Sequence, residues 1–287
     1  VIYPRDNGSV DLDARTLREI VEPFLDEDIG HGDVTTDAVV DPTLRGTARI
    51  EAREGFVVAG LDVARTCFEL LDPDCTWETL AADGSRVADK DVLARVEGSL
   101  AAILTAERTA LNLLQRLSAV ATLTARFVAA TSGTRAQVID TRKTTPGMRL
   151  LEKAAVRVGG GGNHRYGLDD GILIKDNHVR AAGGVSEAVK RARNAAPHGL
   201  VVEVEVTTLD ELDEALNAGA QAILLDNMEP SMVKEAVERV GGSAVLEASG
   251  GMDLDNVRAY AETGVDLISI GALTHSAGSV DISLEVE

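Results

Sequence analysis

Six apolar runs in the second half of the chain end on residues able to handle an anionic, phosphorylated ligand. AQVID leads to Thr141, Arg142 and Lys143, ILI to Lys175, VEV to Glu205, and AILL to Asp226; AVLEA leads to Ser249, Gly250 and Gly251, and LISI to Gly271. Arginine offers a planar fork for a carboxylate or phosphate, and the neighbouring lysine adds a mobile point charge. In Asp140-Thr-Arg-Lys-Thr-Thr-Pro-Gly147 both cations precede a turn forced by Pro146-Gly147. Alone, a basic pair in a loop is more often surface decoration. Its weight comes from the segments that accompany it.

Gly159 to Gly162 form a run of four glycines before Asn163, His164 and Arg165. Such a run permits close backbone approach to a ligand, and the three polar residues after it are costly to leave in a mere spacer. Lys175 closes an otherwise apolar strand, where a cation is hard to accommodate unless it faces an open mouth. His178 reads equally as a ligand contact or as an orienter of a neighbour. Period two puts Glu203 and Glu205 on one strand face. Strand-end carboxylates such as Glu205 and Asp226 can bind Mg²⁺, hydrogen-bond sugar hydroxyls or stabilise positive charge at a ribose carbon. Glu203 has a structural alternative, neutralisation by an internal cation. Ser249-Gly250-Gly251 and Ile270-Gly271-Ala272 follow consecutive strands, where barrels build phosphate cradles from backbone N–H groups.

These residues need a frame that brings them together. Short apolar strands near 136–140, 171–175, 200–206, 221–225, 244–248 and 266–270 alternate with helical patterns, which reads as repeated β/α units of a parallel barrel. Barrel chemistry sits where the strands end. Six strands fall short of the eight of a closed barrel, so an open barrel over 118–275 is expected, with another element covering its gap. Before it, residues 1–117 read as a separate α+β domain: a helix over 14–27, a pattern break at GHGDVTTDAVV, β-structure, a short helix and a small meander. The tail, 276–287, alternates like a strand and is expected to return to that domain's sheet. A long helical pattern from Ser99, a plausible cap, to Gly133, a stop, is expected to break near Ser118.

Composition narrows the function classes. The chain has 287 residues, 45% of them hydrophobic, enough for a full core. No run approaches the ~18 to 20 apolar residues of a membrane span, and the opening VIYPRDNGSVDLD lacks a secretory layout, so a cytoplasmic enzyme is expected. Cys67 and Cys75 show no metal-ligand spacing with the histidines and read as reduced. A net charge of −19 argues against nucleic acid. Yet from Asp140 to Arg180 there are 8 basic and 5 acidic residues, a local balance of +3, which suits a small polyanion. Arg149, Lys153 and Arg157, spaced by four, are expected to be a solvated helix face.

With GHGDVTT, VVAGLDVA, TAERTALNLLQRLS, DTRKTTPG, GGGGNHRYGL, LIKDNH, VEVEV, ILLDNM, EASGG and ISIGALTHS in one chain, the sequence resembles the quinolinate phosphoribosyltransferase family over nearly all of its length past the first 25 residues. The resemblance implies an N-terminal α/β domain beside an open α/β barrel, and a homodimer in which Arg108 reaches across from the other subunit. It implies that Arg142, His164, Arg165 and Lys175 bind the two carboxylates of quinolinate, with Lys143 near the sugar phosphate of phosphoribosyl pyrophosphate and Thr141 beside them. Glu205 and Asp226 would hold the ribose and its Mg²⁺. Lys143, Glu205 and Asp226 would be the catalytic groups, while Ser249 to Gly251 and Ile270 to Ala272 would bind the 5-phosphate. One departure is visible: Ser118-Ala-Val-Ala-Thr122 stands where the family usually has Ser-Gly-Ile-Ala-Thr, which bears on helix packing there. Two rivals stay open, a related transferase for nicotinate or another pyridine acid, and a non-catalytic barrel that senses sugar phosphates.

Overall fold

The computed structural model describes residues 12–287, so all but the last two residues of the opening stretch read for a leader lie outside the described residues. The chain begins with α1 (Ala14–Ile29), where Asp13 accepts the Thr16 N–H at 2.7 Å and Leu17, Val21 and Leu25 turn inward at helical spacing. The expected pattern break is in part a second helix, α2 (Val34–Val39). Asp33 starts it by taking the N–H groups of Thr35 and Thr36 and the Thr36 hydroxyl, a cap strong enough to begin a turn without apolar periodicity. There follow β1 (Arg45–Ala52), β2 (Phe56–Val57), α3 (Leu61–Leu71), β3 (Thr76–Thr79), β4 (Arg86–Val87), β5 (Val92–Ser99) and α4 (Leu100–Ala130).

The break expected near Ser118 is absent, and α4 runs unbroken for 31 residues. The polar residues around that point act as fasteners. Ser118 accepts the Ala59 N–H at 3.1 Å, Thr122 accepts the Val57 N–H at 2.8 Å, and Thr122 and Thr124 return their hydroxyls to carbonyls one turn back. Ser118 to Ala121, where the chain departs from the family pattern, are all buried. Packing there is close despite the changed residues.

The second half alternates strand and helix, with two helices between β7 and β8: β6 (Gln137–Ile139), α5 (Arg149–Val158), β7 (Ile172–Ile174), α6 (Asp176–Ala182), α7 (Val185–Ala195), β8 (Val202–Val206), α8 (Leu209–Asn217), β9 (Ala222–Asp226), α9 (Pro230–Val240), β10 (Val245–Ser249), α10 (Val257–Ala261), β11 (Leu267–Ser269), α11 (Ala272–His275) and the tail strand β12 (Ile282–Val286). All six expected strands are present. They form one parallel sheet in the order β6-β11-β10-β9-β8-β7. This is an open barrel whose margins are β6 and β7. On the β6 margin the glycine run takes the place of a strand: Gly162 bridges Ile139, with its N–H on Val138 O at 2.8 Å and its carbonyl accepting Asp140 N–H at 3.2 Å.

A second sheet, antiparallel, has the order β12-β1-β5-β3, so the tail does return to the N-terminal sheet. The chain divides into two compact units. Among the described residues one holds Arg126–Thr144 and Gly160–Ser276, the other 12–125, Thr145–Gly159 and Ala277–Glu287. Helix α5 therefore groups with the N-terminal sheet rather than with the barrel, unlike the contiguous 118–275 expected from sequence.

Within that N-terminal unit the solvated face expected of α5 is not found. Lys153 is fully buried, Arg149 and Arg157 are partly covered, and Leu151, Glu152, Ala155 and Val156 are buried too. Burial on most of its circumference leaves only Leu150 exposed, so the charges on the covered side need partners inside. Glu152 shows how: Oε1 accepts from Arg116 Nε and Nη2 at 3.2 and 3.0 Å and from the Thr145 hydroxyl at 2.8 Å, while Oε2 accepts the Thr145 N–H at 3.0 Å.

Candidate active site at the strand ends

Parallel strands end on the same side, so the sheet order alone gathers the candidates of the barrel unit. β6 runs out into Asp140 to Lys143, β7 into Lys175, and β11 into Ile270 and Gly271; Glu205 is near the end of β8, and Asp226 and Ser249 close β9 and β10. Ser249 and Asp226 are register partners. Lys175 Nζ lies 3.7 Å from Glu205 Oε2. Burial holds the Glu205 carboxyl above its ordinary range; Lys175 pulls it back, and Asp226 and Asp176 push it further up. Arg142 is half-buried, and its Nε is a buried donor that meets no acceptor. Lys143 is exposed beside it, and its N–H donates to Thr141 Oγ1 at 3.0 Å. Arg108 is exposed on α4 in the other unit.

The two glycine turns differ in build. Gly250 has φ +99°, and a Cβ there would run into the Asn227 side chain, so only glycine fits. Its neighbour Ser249 accepts from Ser269 Oγ at 3.0 Å, which orients one hydroxyl of the proposed cradle. Gly271, Ile270 and Ala272 form the turn into α11, with Ile270 N–H on Ile139 O at 2.9 Å.

Asn163 and His164 are anchored by Asp140, which is fully buried. Its Oδ1 accepts the His164 N–H at 2.9 Å and its Oδ2 the Asn163 amide at 2.6 Å. Arg165 Nη1 donates to Gly171 O at 2.8 Å. The His164 ring is buried, with Nδ1 accepting the Arg165 N–H at 2.7 Å and Nε2 at 3.1 Å from Glu203 Oε2. Both ring nitrogens are thus engaged within the chain. A cleft of ≈ 260 Å³ touches His164, Arg165 and Glu203, and also Gly199 and Val201 ahead of β8, so it reaches below the strand ends. His178 Nδ1 accepts the Lys175 N–H at 2.9 Å, which favours the orienting role over ligand contact.

Beneath the strand-end layer lies a residue that the sequence reading did not single out. Glu247, on β10, is buried with Glu203 and His164, and its Oε2 is 3.7 Å from His164 Nε2. Burial pushes Glu203 up to about 7, and burial together with the Glu203 charge pushes Glu247 up to about 8. Two carboxyls this close and this dry do not both ionise. The signal was in the sequence: Glu247 is an acid inside an apolar run, two residues before Ser249. Ligand atoms of His164, Glu203 and Glu247 lie within 4.8 Å of one another, a spacing open to a metal ion. The hydrogen bonds oppose it, because an Nδ1 that accepts leaves the imidazole proton on Nε2, where a metal would have to bind.

Fold and site together define a class, an open α/β-barrel enzyme for a charged small molecule. The description "Quinolinate phosphoribosyl transferase, C-terminal domain" matches residues 120–285, and the N-terminal domain of the same family matches residues 33–118. The "Nicotinate-nucleotide pyrophosphorylase [carboxylating]" of Mycobacterium leprae is 43% identical, with 96% of this chain and 99% of that protein covered. The "Probable nicotinate-nucleotide pyrophosphorylase [carboxylating]" of Bacillus subtilis is 43% identical over 94% of this chain and 93% of its own length. A solved structure, NadC from Streptococcus pyogenes, superposes with a TM-score of 0.93 at 40% identity, covering 97% of this chain and 99% of that one. The chain belongs to the quinolinate phosphoribosyl transferase family, and it is a pentosyltransferase.

Proposed function

We propose that the strand ends of the barrel are the active site for the family's reaction, with a positive side for a pyridine diacid and a negative side for the pentose. The reaction is quinolinate plus 5-phosphoribosyl 1-pyrophosphate giving nicotinate mononucleotide, pyrophosphate and CO₂, a step of NAD biosynthesis. The observation that carries the assignment is Arg142, whose buried Nε donor has no acceptor. A buried donor without a partner is costly, and a substrate carboxylate would satisfy it. Lys175 and Arg165 complete the positive side; His164 acts from below, through the Arg165 main chain and its contact with Glu203. Lys143 and Thr141 face the sugar phosphate; the turns at Ser249 to Gly251 and Ile270 to Ala272 receive the 5-phosphate through the Ser249 hydroxyl and the N–H groups of Gly250, Gly251, Gly271 and Ala272, while the Ile270 N–H stays on the Ile139 carbonyl and fixes the turn.

As pyrophosphate leaves, positive charge grows at the ribose carbon, and carboxylates placed beforehand stabilise it. Glu205 and Asp226 fill that role. They also fit Mg²⁺: two oxygen donors on neighbouring strands, one of them with its pKa raised by burial and by the other's charge, suit a hard cation that keeps its remaining positions for phosphate oxygens. When bound, the ion would neutralise charge building on the pyrophosphate. The pyridine nitrogen attacks the ribose carbon as the bond to pyrophosphate breaks; the positive ring nitrogen then stabilises the electron pair left on C2 when the 2-carboxylate departs as CO₂, and a proton from solvent takes up that pair to give the mononucleotide. Matching two carboxylates takes several cations, and nicotinate, with one, leaves buried charge unmatched.

In this reading the working form is a cytoplasmic homodimer, with Arg108 supplied by a second copy. No described helix is long and apolar enough to cross a membrane. The test is to combine purified protein, Mg²⁺, quinolinate and phosphoribosyl pyrophosphate and to measure mononucleotide and CO₂. Product without CO₂ from nicotinate would favour the nicotinate rival, and calorimetric binding without pyrophosphate release would favour a sensor.

A further inference from the structure

Thr274 is fully buried in α11, outside every role given above. A threonine hydroxyl in a helix ordinarily returns to a carbonyl three or four residues back. Here that local acceptor, Gly271 O, is at 3.3 Å, while a closer one, the main-chain carbonyl of Lys143, is at 2.8 Å from across the β6–β11 pairing. The Lys143 N–H is held as well, by Thr141 Oγ1 at 3.0 Å. Both main-chain polar groups of this exposed lysine are therefore taken by threonine hydroxyls. Its stem then passes over Gly271, where a Cβ would stand 2.9 Å from Lys143 Cδ and 3.2 Å from His275 Nε2.

We infer that Thr274 is a positioning residue for Lys143: its hydroxyl fixes the loop carbonyl so that the ammonium is delivered over the Gly271 turn to the phosphoribosyl end of the substrate. The inference rests on the reading of Lys143 as the phosphate-side cation. A long lysine side chain loses much rotamer freedom when it is ordered. Fixing its main chain and giving its stem a path without a side chain removes part of that cost before substrate arrives.

The test is a double-mutant cycle of Thr274→Val and Lys143→Ala, with Thr274→Ser as the conservative control. Thr274→Val should raise KM for phosphoribosyl pyrophosphate about tenfold while KM for quinolinate stays within about twofold, and Thr274→Ser should stay close to the unmodified enzyme. In the Lys143→Ala background Thr274→Val should add nothing further to that KM. If Lys143→Ala leaves KM for phosphoribosyl pyrophosphate unchanged, the reading of Lys143 fails and takes the inference with it. If Lys143→Ala raises it but Thr274→Val does not, the inference alone is overturned. Equal rises in both KM values, or effects that multiply in the double variant, mean a general packing role and also overturn it. Should Thr274→Val fail to fold, Thr274→Ala removes the hydroxyl without adding a methyl and is read the same way.

Discussion

Lys175 Nζ and Glu205 Oε2 stand 3.7 Å apart, so the cation assigned to the diacid and the carboxylate assigned to the pentose hold each other before substrate binds. Lys175 is about half exposed and Glu205 far less so. Lys175→Ala should cost about 100-fold in kcat/KM for quinolinate, since a charge-assisted contact contributes roughly 1.5–3 kcal/mol. Glu205→Gln should lower kcat by about 10- to 100-fold without raising KM for quinolinate, because Lys175 is released. Steady-state kinetics decide it: a tenfold rise in that KM in Glu205→Gln would rule the pairing out as a competitor of substrate.

Arg142→Ala should lose about 100-fold in kcat/KM for quinolinate, and Arg142→Lys should recover less than tenfold of it. The buried Nε and the planar fork have no counterpart in lysine. Preference for quinolinate over nicotinate should narrow in both variants. Competition assays with the two acids check this, and full recovery in Arg142→Lys would reduce the residue to a point charge.

The acid pair predicts a pH dependence of stability. Glu247 has a folded pKa of about 8 against an ordinary 4.5, so between those values the folded state binds more protons than the unfolded one. Its contribution is complete below pH 4.5 and is lost as pH rises towards 8. Glu203, at about 7, acts in the same direction. Glu247→Gln stays neutral, so its Tm should fall less between pH 5 and pH 9, leaving it on the order of 5 °C above the unmodified protein at the alkaline end. Parallel melting curves across that range would exclude a protonated Glu247.

Asp140→Ala removes the buried acceptor that holds the His164 N–H and the Asn163 amide. Leaving such donors unmatched should destabilise the fold by about 3 kcal/mol. Urea unfolding measures it, and a loss under about 0.5 kcal/mol would show that the loop is anchored elsewhere.

Much of the barrel was legible because its strands are short apolar runs with polar ends, and a parallel sheet puts those ends on one side. Glu205, Asp226 and Lys175 were readable from that alone. What escaped was set by partners distant in sequence. Lys153 shares the spacing of a solvated stripe, and only a helix enclosed on most sides reveals otherwise. Ser118, Thr122 and Thr124 have weak helix preference, yet bonds to residues near 57–59 and to their own helix turn them into fasteners. Asp33 started a helix that periodicity could not announce. Glu247 was visible as an acid among apolar residues, but its meaning depends on Glu203 two strands away, and the use of Thr274 depends on a carbonyl 131 residues earlier.

The Gly162 bridge to Ile139 has a consequence for association between molecules. An unprotected outer strand is a template for another chain's backbone, and here the bridging segment occupies that template on the β6 side. The stretch assigned to ligand recognition thereby doubles as a guard against sheet-to-sheet aggregation, and any change to its sequence answers to solubility as well as to affinity.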